Sequence, residues 1–180
     1  MALLMRQALD REAFAELARR TLNPLYGYVA TVLLDEAAAE DVTQRAFELA
    51  YARRRSFRPE RGSAEAWLFG IARHVAMDER RDRQRRAVPS SDAVSWDCEA
   101  SGAWDCGEYD GGLGGVDERG ALFAALATLD RLERELIALK FWSDCSHREI
   151  AALVGCSESN AGTRLHRAIA KLREVCDDIA

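Results

Sequence analysis

Apolar residues recur along the chain at helical spacing, without the strict alternation of a half-buried strand. From residue 146 to residue 173 this spacing predicts two short helices joined by a tight turn. Ser146 and Glu149 have the spacing of a capping box at the start of the first helix. Gly155 suits the positive backbone angle of the turn, and Ser157 can cap the second helix. The predicted buried stripe of that helix is Ala161, Leu165, Ala168, Ile169 and Leu172.

The other side of the second helix is basic. Arg164, Arg167 and Lys171 fall there, facing outward. A helix-turn-helix lays its second helix in the major groove, where phosphates and guanine edges attract arginine and lysine. The pattern therefore favours DNA binding over the alternative, an ordinary helical hairpin with a basic solvated face.

Helical spacing also runs through the first part of the chain. Residues 10–34 predict two helical stretches separated near Pro24, because proline suits a first helical turn. A further helix is predicted over 36–54. A long one is predicted from Ser63 to about Arg83, after an irregular segment broken by proline and glycine.

The helical pattern stops after residue 86 and resumes near residue 118. Residues 87–117 are rich in glycine, serine and aspartate, which is the composition of a linker. The prediction is an all-α protein with two small helical domains, 1–86 and 118–180, joined by a flexible acidic linker. The C-terminal domain is the helix-turn-helix.

Composition is that of a water-soluble helical protein, with 48% apolar and 31% charged residues among 180. No stretch resembles a signal peptide, and no apolar run approaches the length that spans a bilayer. We therefore expect a cytoplasmic protein without membrane insertion.

Charge is unevenly distributed, although the net charge is only −5. Residues 53–86 carry 11 arginines against 5 acidic residues, whereas residues 87–118 carry 8 acidic residues and no lysine or arginine. The basic block suits a nucleic-acid partner. Shielding of this block by the acidic one in the free protein is a hypothesis about autoinhibition.

Catalytic and metal-binding patterns are missing from the sequence. The 5 cysteines are an odd number without secretory context, so reduced thiols are expected. None has the CxxC spacing of a structural zinc site, and Cys156 is expected to be a small buried thiol. A redox role of Cys98 and Cys106 in the linker stays open. No enzymatic activity, metal or cofactor is expected.

Three segments in order resemble the bacterial sigma factors of the extracytoplasmic-function (ECF) group. AEDVTQRAFELAY at 39–51 is similar to the family's helix that binds core polymerase. The basic segment at 57–86 resembles the part that opens the DNA strands and reads the minus-ten element. The segment at 129–174 resembles the domain that reads the minus-thirty-five element. The resemblance covers nearly the whole chain, from about Phe14 to Val175.

This resemblance implies a set of partners and contact residues. The partners would be core RNA polymerase, through its clamp helices and flap, promoter DNA, and an anti-sigma factor that clamps the two domains. The residues matching the core-polymerase contact are Asp41, Gln44, Arg45 and Glu48. Those matching the minus-ten contact are Arg58, Arg61, Arg73, His74, Arg80 and Arg81. Those matching the minus-thirty-five contact are Ser159, Asn160, Thr163, Arg164, His166, Arg167 and Lys171.

The chain departs from the family pattern at two reading positions. The family usually has asparagine where this chain has His74, and commonly lysine or arginine at the position of Gly162. Glycine has no side chain with which to read a base, so relaxed specificity or a closer backbone approach is expected there. Trp67 and Phe69 invite a base-stacking role, but Trp67 falls on the inward face of its helix, which favours the core.

Two other functions remain open on the sequence alone. One is a helix-turn-helix regulator that uses residues 129–174 to bind DNA and does not replace sigma. The other is a pure interaction protein that has lost promoter recognition. Transcription with core polymerase separates the first from a sigma factor, because a regulator cannot start transcription from core polymerase alone.

Overall fold

The computed structural model describes residues 9–87 and 116–179. The helices within these ranges are α1 (Arg11–Leu33), α2 (Glu36–Arg53), α3 (Ala64–Ala87), α4 (Val116–Ala127), α5 (Arg131–Trp142), α6 (His147–Val154) and α7 (Glu158–Ile179). Two short 3₁₀ turns, Arg54–Ser56 and Pro59–Arg61, connect α2 to α3. This part of the chain contains no strand, and the predicted all-α, two-domain architecture is confirmed.

The first domain packs α1, α2 and α3 around a common core. Its largest fully buried side chains include Tyr28 of α1 and Phe69 of α3, whose rings meet edge to face with centroids 5.4 Å apart. Asp10, Asp35 and Ser63 cap the three helices, each accepting a hydrogen bond from the backbone three residues further on. Helix α3 extends to Ala87, four residues beyond the expected end near Arg83.

The prediction of two helical stretches within residues 10–34 is wrong, because α1 runs unbroken through Pro24. A proline inside a helix removes one backbone hydrogen bond and costs about 3 kcal/mol. Leu17 and Thr21 before the proline, and Leu25 and Tyr28 after it, are buried on one face. Burying this continuous stripe against a shared core outweighs the local cost.

The second domain is built on α5, α6 and α7. Leu136, Leu139 and Ile150 are its largest fully buried apolar side chains. Capping boxes open α5, with Asp130 and Glu133, and α6, with Ser146 and Glu149. The predicted capping box at Ser146 and the left-handed turn at Gly155, with φ 76°, are confirmed.

Helix α7 begins after Ser157, whose Oγ accepts a hydrogen bond from the Asn160 N–H. The predicted buried stripe of this helix is also confirmed. Ala161, Leu165 and Ala168 are buried, and Ile169 and Leu172 are partly buried against the same core.

The cysteines differ from expectation. Cys156 is only partly buried, and Cys145 is the buried thiol among the two free cysteines described. Burial raises the pKa of the Cys145 thiol above its ordinary value. The linker, with Cys98 and Cys106, lies outside the described residues.

None of the helices in the described ranges is long and apolar enough to cross a membrane.

Candidate nucleic-acid and polymerase surfaces

The outer face of α7 brings together six of the seven residues predicted to read the minus-thirty-five element. Ser159, Asn160, Thr163, His166 and Arg167 are exposed, and Arg164 is partly exposed. The side chain of Asn160 holds Arg164, because its Oδ1 accepts a hydrogen bond of 3.1 Å from Arg164 Nε. Because the stripe on the opposite side of α7 is buried in the core, this face points toward solvent. The arrangement can meet DNA with hydroxyl, amide, imidazole and guanidinium groups.

Lys171, the seventh residue, is engaged elsewhere. Its Nζ donates to both carboxylate oxygens of Glu133, at 2.6 Å and 2.8 Å. Glu133 is buried, so its charge needs this partner. In this arrangement Lys171 ties α7 to α5 instead of lying free for DNA, which helical spacing alone does not reveal.

Gly162 sits on the outer side of α7 with open space around it. A Cβ atom built there would meet no heavy atom within 4 Å. Packing within residues 9–87 and 116–179 therefore gives no reason for glycine at this position.

The polar face of α2 carries the four residues predicted to contact polymerase. Asp41, Gln44, Arg45 and Glu48 are all exposed. Gln44 Nε2 donates to Glu48 Oε1 at 2.9 Å. Arg45 reaches across to Glu79 of α3, with 3.2 Å between Nη1 and Oε2. Gln44 and Glu48 thus form one connected polar edge.

A groove between α1 and α2 adjoins this polar edge. It holds about 450 Å³ and is lined by Leu22, Tyr26, Glu40, Thr43, Gln44, Phe47 and Glu48. Leu22, on the α1 side of the groove, is 51% exposed. Sequence reasoning missed this groove, and the one available signal was that Leu22 falls off the buried stripe of α1.

The residues predicted for the minus-ten contact do not share one environment. Arg61, His74 and Arg81 are exposed, whereas Arg58 and Arg80 are partly buried. The ring of His74 is anchored, with Nδ1 2.6 Å from the carbonyl oxygen of Gly70. Because a carbonyl only accepts, Nδ1 carries the proton and Nε2 is left for an outside partner.

Arg80 is held in a cationic neighbourhood. Burial, together with the nearby charge of Arg131, lowers the pKa of the Arg80 guanidinium from its ordinary value. Its Nε is buried without a hydrogen-bond partner among the described residues.

Arg73, predicted to contact the minus-ten element, is engaged by another part of the protein. It forms an ion pair with Glu135 of the second domain, which is 0% exposed. Phe69 is buried in the core and cannot act as a stacking platform here. Trp67 is partly buried and packs edge to face on Phe57, with ring centroids 5.7 Å apart, in keeping with its predicted inward position.

Comparison with known proteins identifies the family. The protein-family model for Sigma-70 region 2 matches residues 17–86, and the model for Sigma-70, region 4 matches residues 119–172. The "ECF RNA polymerase sigma factor RpoE" of Cereibacter sphaeroides is 30% identical over 173 residues, which cover 94% of this chain and 90% of that protein. The chain belongs to the ECF sigma factors. The "ECF RNA polymerase sigma factor SigK" of Mycolicibacterium vanbaalenii is 27% identical over 95% of this chain and 86% of that protein.

Solved structures share the fold of this ECF sigma factor. The sigma factor RpoE from Bartonella quintana, in a structure with the anti-sigma factor NepR, superposes with a TM-score of 0.70 at 24% identity. That match covers 92% of this chain and 98% of the other. CnrH, in a structure with the cytosolic domain of CnrY, gives a TM-score of 0.62 at 22% identity over 95% and 92% of the two chains.

Family membership establishes the function predicted from the sequence. As a sigma factor, the protein binds core RNA polymerase and directs promoter-specific initiation of transcription. A regulator that uses only its helix-turn-helix is not favoured, because the region 2 match covers the first domain as well.

Proposed function

We propose that this sigma factor is a non-catalytic cytoplasmic subunit whose surfaces divide the work of initiation. Residues 1–86 would bind core polymerase and open the minus-ten element, residues 118–180 would read the minus-thirty-five element, and residues 87–117 would tether the two. The observation that carries the proposal is the outer face of α7. Polar and basic side chains lie together on this face, directly after the turn at Gly155 that ends α6.

Promoter reading by α7 follows from what its face can donate and accept. Arg167 is exposed and suits a phosphate or a guanine edge. Arg164, held by Asn160, loses less side-chain freedom on binding than a free arginine would. Ser159, Thr163 and His166 complete the contact surface with uncharged polar groups. Hydrogen bonds and shape therefore contribute to DNA binding in addition to electrostatic attraction.

Polymerase binding is assigned to the groove between α1 and α2 and to its polar edge. Leu22, Tyr26 and Phe47 offer an apolar seat, while Glu40 and Glu48 line the same groove with negative charge. An amphipathic helix with a basic edge fits such a surface. The clamp helices of core polymerase are the proposed occupant, with Asp41, Gln44 and Arg45 in contact beside them.

Strand opening is assigned to α3 and the loop that precedes it. Unstacking a base costs a few kcal/mol, which contacts to the extruded strand must offset. Arg58 and Arg61 lie in the loop, and His74, Arg80 and Arg81 follow on α3. Arg73 belongs to the same set by its position on the helix, once its contact with Glu135 is released.

An anti-sigma factor is a further proposed partner. The sigma factor RpoE from Bartonella quintana, which superposes on this chain with a TM-score of 0.70, is in complex with the anti-sigma factor NepR. A regulator of the same kind would contact both domains of this chain.

Run-off transcription tests the proposal. Core polymerase with this protein should give specific transcripts from promoters mapped after overexpression, and core polymerase alone should give none. Replacing Arg164 and Arg167 by alanine should remove the dependence on the minus-thirty-five sequence. The matched control is Arg19→Ala, an exposed α1 arginine paired with Glu16. A lack of transcripts with the unmodified protein would refute the proposal.

A further inference from the structure

Asn160 lies in the first turn of α7, on the outer face that we assign to promoter reading, so this inference rests on the proposed function. Its backbone N–H donates to Ser157 Oγ at 3.2 Å, which ties the residue to the cap of the helix. That hydrogen bond uses only the backbone and leaves the amide side chain for another contact. Asparagine is less favourable than alanine within a helix, so helix propensity does not explain its presence here.

The amide side chain of Asn160 contacts Arg164, one helical turn further along α7. Its Oδ1 accepts a hydrogen bond from Arg164 Nε at 3.1 Å. Because Nε is occupied, Arg164 offers DNA the end of its guanidinium group, with the two nitrogens Nη1 and Nη2. An end-on guanidinium donates two parallel hydrogen bonds, which suits two neighbouring acceptors such as O6 and N7 of guanine or two oxygens of one phosphate.

The group that holds Arg164 is neutral, unlike the group that holds Lys171 on the same helix. Lys171 Nζ donates to the carboxylate of Glu133, at 2.6 Å and 2.8 Å. A carboxylate beside a basic side chain offsets much of the positive charge that attracts DNA phosphates. The amide of Asn160 therefore fixes the Arg164 side chain without reducing its charge.

Fixing a flexible side chain before binding reduces the entropy lost when a complex forms, and arginine is among the side chains with most freedom to lose. We infer that Asn160 is a positioning residue for promoter DNA. Its amide oxygen holds Arg164 with both Nη nitrogens free for DNA, and it acts on DNA through Arg164. Arg167 is exposed on the same face, but seven residues of helix separate it from Asn160 by about 10 Å, beyond the reach of this support.

A double-mutant cycle on the polymerase holoenzyme tests the inference. Fluorescence anisotropy measures the affinity for a mapped promoter of Asn160→Ala, Arg164→Ala and the variant with both changes. Asn160→Ala should weaken binding roughly 2- to 10-fold while Arg164 is present, the effect of losing one pre-ordered side chain. With Arg164→Ala already in place, the same change should have no effect. An equal loss in both backgrounds means that Asn160 contacts DNA itself and overturns the inference, as does the absence of any loss.

The matched control is the same cycle with Arg167→Ala. Asn160 and Arg167 lie far enough apart to act independently, so their fold-changes in affinity should multiply. Coupling of equal size to both arginines would mean that Asn160→Ala disturbs the whole helix, which contradicts a specific action on Arg164. Urea unfolding gives a second check, because alanine favours helix and Asn160→Ala should be no less stable than the unmodified protein. A loss of stability would indicate a structural role instead.

Asn160→Asp tests whether the oxygen is the atom that matters. Its carboxylate can also accept from Arg164 Nε, but it lacks the amide NH2 group and its negative charge repels DNA. Overall affinity should therefore fall, while Arg164→Ala should still cost at least as much affinity in this variant as in the unmodified protein. A cost as small as in Asn160→Ala would contradict the role of the oxygen.

Two further measurements identify the pair of acceptors that Arg164 meets. If the acceptors belong to guanine, Asn160→Ala and Arg164→Ala should reduce discrimination at the same base pair of the minus-thirty-five element. If they belong to a phosphate, the loss should be similar for all sequences, and Arg164→Ala should reduce the slope of log affinity against log salt by about 0.9. Either result supports the inference when the cycle shows coupling.

The two proposals fail in different ways. If replacing Arg164 and Arg167 together leaves the dependence on the minus-thirty-five sequence intact, the proposed reading by α7 fails. If that dependence is lost but Asn160 and Arg164 show no coupling, only the positioning role of Asn160 fails.

Discussion

Gly162 offers the sharpest test of how α7 meets DNA. It lies in the interior of that helix with open space where a side chain would project. The family commonly has a basic residue there, so Gly162→Arg restores a side chain that can contact a base. Gly162→Ala is the matched control, because it changes the helix in the same way without adding a charge.

The effect on stability can be separated from the effect on binding. Replacing an interior glycine by alanine stabilises a helix by about 1 kcal/mol. Arginine has nearly the same helix propensity, and Glu158 four residues earlier adds about 0.2–0.5 kcal/mol as a favourable pair. Both variants should therefore unfold at higher urea concentration than the unmodified protein, by similar amounts.

The effect on DNA should be confined to the arginine variant. One bidentate contact to a base contributes about 1–3 kcal/mol, which is roughly 5- to 150-fold in affinity. One additional phosphate contact steepens the slope of log affinity against log salt by about 0.9. The assay is fluorescence anisotropy of the polymerase holoenzyme on promoter DNA over a salt series.

The deciding measurement is the difference in DNA affinity and salt slope between Gly162→Arg and Gly162→Ala. If Gly162→Arg and Gly162→Ala bind promoter DNA with equal affinity and equal salt slope, position 162 does not face DNA. The proposed docking of α7 would then be refuted, even though both variants are more stable.

Three further outcomes are expected. Leu22→Asp should weaken binding to core polymerase at least about tenfold by placing a charge in the apolar groove, while duplex promoter binding by the free protein stays unchanged. Lys171→Ala should lower the free energy of unfolding by about 2 kcal/mol, because Glu133 loses its charged partner, whereas Arg167→Ala should spare stability and reduce the salt slope by about 1. The stabilisation that Glu149 provides over Glu149→Gln should be constant above pH 5 and shrink as the pH falls from the ordinary pKa of 4.5 toward about 2, because a lowered folded-state pKa makes the ionised form the stabilising one. Urea unfolding of both proteins across this pH range measures the difference in free energy of unfolding. A difference that grows in acid would contradict the hydrogen bonds between Glu149 and Ser63.

Local chemistry was sufficient to predict much of this protein. The capping box of Ser146 and Glu149 and the turn at Gly155 involve residues within one helical turn, so their spacing alone determined them. The buried stripe of α7 followed from helical periodicity for the same reason. The outer face of that helix, with Arg164 and Arg167, was predictable because it is what remains when the stripe is buried.

Contacts between distant residues were outside the reach of that reasoning. Pro24 predicted a break that the shared core overrides, and Lys171 meets Glu133 38 positions earlier. The groove beside Leu22 exists only because α1 and α2 pack side by side. Spacing along a chain reports which residues share a face, but not which surface that face meets.

The sequence by itself therefore determined most of the helices and the helix-turn-helix, which depend on residues near one another in the chain, and the order of three such segments pointed to the family. The tertiary structure alone decided that Arg73 is paired with the buried Glu135 and that Glu149 holds Ser63. Those pairs span 62 and 86 positions. Only the packing of the two domains brings them together, because no local preference depends on a residue so far away.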